Sequence, residues 1–202
     1  MVKQTTKKGS RTVVSAIRSE SRSAADWEDA ALTAIATHGL SSLSIPDLAR
    51  SLGVTKGSFY WHFRGIQELV DAALQRWEEM DRAALEEVRR LADPRARLTA
   101  LFTQSMETRQ PHALYVTLSG SSVPEVADTL RRISDRRLQF LVDAYQALGF
   151  TRPAAREQAL LAYTAYVGVL HLRQQGSRGL MTEKDLAAYV AHAMKTLIPR
   201  RR

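Results

Sequence analysis

Cysteine is absent from this chain of 202 residues, and so is any apolar run long enough to cross a membrane. The first absence excludes disulfide bonds, thiolate metal sites and cysteine nucleophiles. The second excludes a transmembrane helix, which needs roughly 18 apolar residues in a row, and the basic N-terminus is not followed by the apolar core of a signal peptide. We therefore expect a soluble protein that stays in the cytoplasm.

Signatures of common enzymes are also missing. The chain has no Gly-rich phosphate loop, no Gly-x-Ser-x-Gly elbow and no His-Glu-x-x-His sequence. His112, His171 and His192 are far apart in the sequence, and a lone histidine on a helix is usually a surface or core residue. We therefore predict that the chain is not an enzyme and that it holds no cofactor and no metal ion.

Strand-like alternation of valine and isoleucine is absent too, whereas apolar residues recur with helical spacing from residue 23 onward. With 45% hydrophobic residues, a chain of this length can bury a core of its own. We predict an all-α fold of about nine helices. It divides into a basic tail at residues 1–22, a small domain at 23–65 and a larger helical domain at 66–202.

Positive charge is what the chain has in excess. Lysine and arginine outnumber aspartate and glutamate by 29 to 21, for a net charge of +8. Such a balance favours a polyanionic partner. The tail at residues 1–22 is rich in Lys, Arg, Ser and Thr, and two interpretations stay open. It is either a solvated terminus or a basic arm that follows phosphates or enters a minor groove.

Residues 44–63 have the pattern of a helix-turn-helix. Ser44 precedes an apolar residue and has Asp47 three positions later, so it can cap a first helix, and Thr55 can cap a second one in the same way. Ala49 is small enough for two helices to cross closely, and Gly53 can turn the chain between them. The second helix would then lie in the DNA major groove.

The same residues resemble a known family. The run from Gly53 to Phe63, Gly-Val-Thr-Lys-Gly-Ser-Phe-Tyr-Trp-His-Phe, with Glu68 and Leu69 after it, is similar to the signature of the tetracycline-repressor (TetR) family of bacterial regulators. The tract from Trp27 to Gly39 resembles that family's first helix. Many relatives have a lysine where this chain has Ile66. The resemblance implies a homodimer that binds double-stranded DNA at an inverted-repeat operator.

Nine residues are the candidates for contact with DNA. We expect Lys56 and Ser58 to reach base edges, and the other polar groups to hold phosphates. Gly57 would let the backbone approach the DNA closely, and Trp61 would pack on a sugar or brace the helix. The full set is Ser44, Thr55, Lys56, Gly57, Ser58, Tyr60, Trp61, His62 and Arg64.

The resemblance also implies a small-molecule pocket in the larger domain. Its candidate residues are aromatic, sulfur-containing or polar side chains on the predicted helices, and ordinary core packing is the alternative interpretation for each of them. They are Trp77, Phe102, Met106, Arg109, His112, Tyr115, Tyr145, Tyr163 and Tyr166.

Two C-terminal helices are candidates for a dimer interface. The helix at residues 152–174 is apolar around most of its circumference, and the last helix carries small residues on one stripe. Two helices from each subunit could form a four-helix bundle, or both could pack inside their own chain. The candidate interface residues are Ala159, Ala162, Tyr166, Leu170, Ala187, Val190, Ala191 and Met194.

These predictions combine into a homodimeric repressor that an apolar or amphipathic inducer releases from its operator. An alternative is a DNA-binding regulator without a ligand, controlled by a protein partner on its helical surface. A DNA binder without sequence preference is a further alternative, and its affinity would fall steeply with salt on any DNA.

Overall fold

The computed structural model describes the backbone of residues 22–107, 109–174 and 182–199, and the side chains of 22–104, 111–173, 182 and 184–199. Within these ranges it contains nine α-helices and no strand, so the prediction of an all-α fold is confirmed. None of the helices described is long and apolar enough to cross a membrane. The helices are α1 (Ala24–His38), α2 (Ile45–Leu52), α3 (Lys56–Phe59), α4 (Ile66–Arg89), α5 (Pro94–Glu107), α6 (Arg109–Ser119), α7 (Pro124–Ala147), α8 (Arg152–Gln174) and α9 (Glu183–Leu197).

Local capping explains where several helices begin. The backbone N–H of Asp26 donates to the Ser23 hydroxyl at the start of α1, and the Ser23 N–H donates back to the Asp26 carboxylate at 2.7 Å. These hydrogen bonds from Ser23 hold the pKa of Asp26 below its ordinary value. Thr182 and Asp185 repeat the arrangement at α9. Both predicted capping boxes are confirmed, because a cap depends only on residues three positions apart.

Two predicted helix starts are wrong. Thr55 stands at the N-cap of α3, but its side chain makes no capping hydrogen bond. Helix α6 begins at Arg109 and not at His112, so Pro111 lies inside its first turn. Proline is tolerated there because the first N–H groups of a helix have no partner within the helix.

The helix that was expected to extend to Phe63 is also shorter in the structure. Regular α3 ends at Phe59, and residues 60–62 continue as turns. The N–H groups of His62 and Phe63 both donate to the Phe59 carbonyl, at 2.9 and 3.0 Å. These two hydrogen bonds close the turn and place Tyr60 and Trp61 on its outer side.

A first apolar core joins the small domain to the larger one. Trp27 of α1 and Phe59 of α3 are fully buried and meet edge to face, with ring centroids 5.3 Å apart. The same cluster continues to Leu114 and Leu118 of α6, because α6 packs across α1. The two domains therefore share one continuous apolar cluster, and a shift of α6 would be felt at α1.

A second core lies among α5, α7, α8 and α9. It contains Leu98, Leu141, Ala159 and Leu197, all buried. Helices α7 and α8 run along each other as the most extensive pair, and the small residues of α8 allow that close approach. Between this core and the first one lies the cavity described below.

Candidate nucleic-acid interface and internal cavity

Two aromatic side chains of the turn after α3 lie outside while two others anchor it. Phe59 is fully buried and Phe63 is 5% exposed, with their rings 5.5 Å apart. Tyr60 and Trp61, by contrast, are 62% and 87% exposed. A large aromatic surface that a rigid core holds in solvent is typical of a binding site. We name the exposed residues 55–64 the recognition surface.

Polar groups for an external partner are placed around these rings. Thr55 and Lys56 are exposed and Ser58 is half-buried. A Cβ atom added at Gly57 would meet only the Thr55 hydroxyl, at an ordinary 3.6 Å. Packing within the chain therefore does not require glycine at this position, and its backbone is open to a partner from outside.

Three other predicted DNA contacts have partners inside the chain. The Ser44 hydroxyl caps α2 and is bonded to the Asp47 carboxylate. The His62 ring donates through Nε2 to the carbonyl oxygen of Arg22 at 2.8 Å. Arg64 donates its backbone N–H to Glu68 at 2.6 Å, and its side chain is exposed. Of the three, Arg64 has the side chain best placed to reach a phosphate.

Arg22 is a residue of this surface that the sequence did not reveal. Besides accepting from His62, it donates through Nε to the carbonyl oxygen of Leu52 at 3.2 Å. The chain therefore enters the small domain directly beside the recognition surface. The predicted tail at residues 1–22 otherwise lies outside the described residues, and no local pattern pointed to this contact across 40 positions.

A cavity of about 360 Å³ lies inside the larger domain, with walls from α4, α5, α6, α7 and α8. Its lining is mainly aromatic and aliphatic, and its volume is near the lower end of the roughly 300–1,000 Å³ range of small-molecule sites. Met80, 48% exposed, stands at its edge. The lining residues are Trp77, Met80, Asp81, Ala84, Leu85, Leu101, Phe102, Gln104, Pro111, His112, Arg137, Leu141, Ala162, Tyr163 and Tyr166.

The structure separates the predicted pocket residues into two groups. Five of them line the cavity: Trp77, Phe102, His112, Tyr163 and Tyr166.

Tyr115 and Tyr145 are not among the lining residues. Tyr145 is fully buried in the second core, where it donates to the Leu197 carbonyl oxygen at 3.0 Å and contacts Phe150 edge to face. Tyr115 lies behind the cavity wall, hydrogen-bonded to Ser134. The side chains of Met106 and Arg109 lie outside the described residues. Tyr145 is thus a structural residue of the core.

A buried ion pair in the cavity wall was not predicted. The side chain of Asp81 on α4 is 4% exposed, and it lies 2.6 Å from Nη2 of Arg137 on α7. Arg136 approaches the same carboxylate from the other side at 3.3 Å. Arg137 also donates through Nη1 to the hydroxyl of Tyr166 at 3.0 Å. The negative charge of Asp81 and the positive charge of Arg137 are therefore paired with each other.

The hydroxyl of Tyr163 is also engaged within the chain. It lies 2.9 Å from Ser134 and 3.0 Å from the hydroxyl of Tyr115. Burial raises the pKa of Tyr163 and of Tyr166, so both rings are neutral phenols at neutral pH.

Two polar atoms in the cavity wall have no partner. They are Nε1 of Trp77, a residue that is 1% exposed, and Nδ1 of His112, a residue that is 7% exposed. Burial, and then the positive charges of Arg137 and Arg173, lower the pKa of His112 to about 4. The imidazole is therefore neutral at neutral pH and has one donor and one acceptor nitrogen.

Half of the predicted dimer residues face the inside of their own chain. Ala159, Ala162 and Leu170 are almost fully buried, and Tyr166 is bonded to Arg137 in the cavity wall. These four residues are corrected to core or cavity positions, because α7 covers the small-residue side of α8.

The surface of α8 is formed by other apolar residues. Leu160 and Leu161 are 53% and 54% exposed, and Leu172 is 39% exposed. On α9, Ala187 and Ala191 are exposed, while Val190 and Met194 are half-buried.

Comparison with known proteins now assigns the family. Residues 29–73, which include α2, α3 and the start of α4, match the model described as bacterial regulatory proteins, tetR family. The chain belongs to the tetR family. The HTH-type transcriptional regulator SrpR of Pseudomonas putida is 44% identical over 46 residues, which are 23% of this chain and 22% of SrpR. The chain thus matches only about a fifth of the length of that tetR-family relative.

Solved structures share the whole fold. A TetR transcriptional regulator from Legionella pneumophila superposes with a TM-score of 0.73 at 16% identity, over 89% of this chain and 98% of the other. A putative transcriptional regulator from Saccharomonospora viridis, in complex with choline, gives a TM-score of 0.68 at 22% identity, over 86% and 92%. At such identities the likeness extends to the tetR-family fold alone.

Proposed function

We propose that this chain is a sequence-specific DNA-binding transcriptional regulator, a homodimeric repressor that a small ligand releases from its operator. One observation carries the proposal. The tetR-family segment folds so that buried Phe59 and Phe63 hold Tyr60 and Trp61 in solvent beside Lys56. A partner outside the chain explains this exposure, and the excess of positive charge favours a polyanion.

Selection from a random library of DNA duplexes tests the proposal directly. Purified protein should enrich an inverted repeat, since each short recognition surface reads few base pairs and two surfaces on a twofold axis reach half-sites about 34 Å apart. Failure to enrich any sequence, with binding that disappears as salt rises, would refute sequence reading.

Two substitutions separate base reading from phosphate binding. Tyr60→Phe removes one hydroxyl and should weaken binding to all sequences alike. Lys56→Ala should weaken binding and also relax the preference for one or more base pairs. Lys184→Ala, the same change on the exposed start of α9, is the matched control and should leave DNA binding unchanged. Equal loss of specificity from Tyr60→Phe and Lys56→Ala would contradict this division of roles.

The exposed apolar residues of α8 support the dimer. Leu160 and Leu161 are large, adjacent and more than half exposed, whereas the other side of the helix is covered by α7. A second copy of the chain would bury them by twofold symmetry together with the small residues of α9. Sedimentation of the purified protein should give a dimer, and Leu161→Glu should shift it to monomer. A monomeric wild-type protein would refute this part of the proposal.

The cavity supports control by a ligand over control by a protein partner. It lies inside the domain, and its walls include Trp77 and Asp81 of α4, the helix that also enters the small domain. A related fold has been solved with choline bound, which supports ligand binding as a property of this architecture. A ligand releases DNA only if it prefers the non-binding arrangement, and a full population change needs about 5.5 kcal/mol of differential binding.

Thermal unfolding with a panel of apolar compounds tests the ligand. A compound at 100 times its dissociation constant adds about 2.7 kcal/mol to the free energy of unfolding. The same compound should release the selected operator duplex from the protein. A compound that stabilises the protein without affecting operator binding would remove it as an inducer.

A further inference from the structure

The chemistry of the cavity wall restricts what can bind in it. Its ionic groups, Asp81 and Arg137, are on opposite walls and are paired at 2.6 Å. The remaining polar atoms of the wall are therefore the ones that can recognise a ligand, and these differ in whether the chain already satisfies them.

Paired charges leave no counterion for a charged ligand. The Asp81 carboxylate accepts from both Arg136 and Arg137, and Arg137 uses its other amino group on Tyr166. A cationic ligand would have to compete with two guanidinium groups for this carboxylate, and an anionic ligand would have to take Arg137 away from it. Burial of an unpaired charge is strongly unfavourable. The cavity therefore disfavours both kinds of ion.

Hydrogen-bonding capacity, by contrast, is left over at two atoms. The indole N–H of Trp77 is a donor only, and it is buried without a partner. Nδ1 of His112 is the second unpartnered atom. The hydroxyls of Tyr163 and Tyr166 already have partners in the chain. A buried donor without an acceptor costs free energy until something fills its site.

We infer that the cavity binds an uncharged, largely aromatic or polycyclic molecule with a carbonyl or similar acceptor, which takes a hydrogen bond from the Trp77 indole N–H. A second polar group of the ligand, where present, pairs with Nδ1 of His112. The apolar body packs against Phe102, Leu141 and the face of Tyr166. This inference rests on the proposed function only in treating the cavity as the ligand site.

Four probes of one shape test the inference by isothermal titration calorimetry on the full chain without DNA. They are benzophenone, a neutral ketone; diphenylmethane, the hydrocarbon without the acceptor; diphenylacetate, an anion; and benzhydrylammonium, a cation. Benzophenone should bind about fivefold more tightly than diphenylmethane, since one net hydrogen bond contributes about that factor. Both ions should bind at least about tenfold more weakly than benzophenone.

Three variants identify the atoms responsible. Trp77→Phe keeps a ring and removes the N–H, so the preference for benzophenone over diphenylmethane should fall to about one. Trp27→Phe is the matched control, because Trp27 also has a buried, unpartnered indole N–H but belongs to the small domain away from the cavity. It should leave the preference unchanged. If Trp77→Phe fails to fold, His112→Phe should still change the affinity for benzophenone while Trp27→Phe does not.

Several results would overturn the inference. Equal affinity for benzophenone and diphenylmethane would mean that water satisfies the Trp77 N–H with or without a ligand. Tighter binding of either ion, an unchanged preference in Trp77→Phe, or no binding of any of the four probes would also refute it. These results leave the DNA selection untouched, so failure of the ligand class and failure of the proposed function are distinguishable.

Discussion

Aromatic side chains point in opposite directions in the two parts of this chain. In the small domain, Tyr60 and Trp61 project into solvent from a turn whose other rings are buried. In the larger domain, Trp77, Tyr163 and Tyr166 surround an internal cavity. The same residue types therefore form a surface for a large partner in one region and a container for a small one in the other.

Charged groups differ between the two regions in the same way. The Asp47–Arg50 pair of the small domain is at the surface, with side chains 62% and 77% exposed. The Asp81–Arg137 pair of the larger domain is 4% and 15% exposed. An exposed pair is screened by water and is nearly neutral for stability, whereas a buried pair leaves a costly charge behind when one member is lost. The two regions should therefore respond very differently to substitution.

The largest effect is expected from breaking the buried pair. Asp81→Ala leaves Arg137 without its carboxylate in the cavity wall and should lower the free energy of unfolding by about 3–5 kcal/mol. Urea denaturation measures this change. Glu87→Ala breaks the exposed Glu87–Arg90 pair of the same helix and should cost less than about 1 kcal/mol. Similar losses in the two variants would show that burial does not distinguish the pairs.

The next largest effect is a dependence of stability on pH that originates in the cavity. The pKa of His112 is about 4 in the folded chain and about 6.5 when unfolded. Between these values the unfolded chain binds a proton that the folded chain does not, so stability is complete above pH 6.5 and decreases as the pH falls to 4. The decrease should total about 3 kcal/mol.

A variant without the imidazole isolates this contribution. In His112→Phe, urea denaturation at several pH values should show a loss that is smaller by about 3 kcal/mol over the same interval. Parallel curves for His112→Phe and the wild type would mean that the imidazole is already solvated in the folded chain.

A smaller effect distinguishes two helix starts of the small domain. Ser23 caps α1 by a hydrogen bond, whereas Thr55 stands at the start of α3 without one. Ser23→Ala should therefore cost about 1 kcal/mol of stability, and Thr55→Ala should cost almost nothing. For DNA affinity we expect the reverse order. If Thr55→Ala destabilised the protein as much as Ser23→Ala, the hydroxyl of Thr55 would have a structural role after all.

The smallest effect on stability is expected at the recognition surface. Trp61 is 87% exposed, so Trp61→Ala should change the free energy of unfolding by less than about 0.5 kcal/mol. Its affinity for the selected operator should fall about tenfold, which corresponds to roughly 1.4 kcal/mol. Unchanged operator binding would exclude the ring from the interface.

Features set by neighbouring residues were predictable from the sequence. The caps at Ser23, Ser44 and Thr182 depend on side chains three positions away, and all three are present. The buried side of the helix-turn-helix, including Ala49 and Phe59, follows from spacing alone. Thr55 shows the limit of this method, because a capping residue at the correct position does not always adopt the geometry of a cap.

Features that depend on long-range packing were not predictable. Asp81 and Arg137 are 56 positions apart, and neither has a local pattern that marks it as buried. Tyr145 and Tyr163 both lie at apolar positions of helices, yet one fills a core and the other lines a cavity. Helix α8 is apolar around most of its circumference, so its sequence alone could not tell which side α7 covers.

Helix α4 connects the two regions as a single rigid rod. It runs from Ile66, next to the recognition surface, past Asp81 in the cavity wall, and Arg76 ties it to Asp29 of α1 at 2.6 Å. Fifteen residues separate Ile66 from Asp81, or roughly 22 Å at about 1.5 Å per residue. A tilt of about 5° at Asp81 would therefore move the far end by roughly 2 Å, a distance comparable to the tolerance of a hydrogen bond to a base.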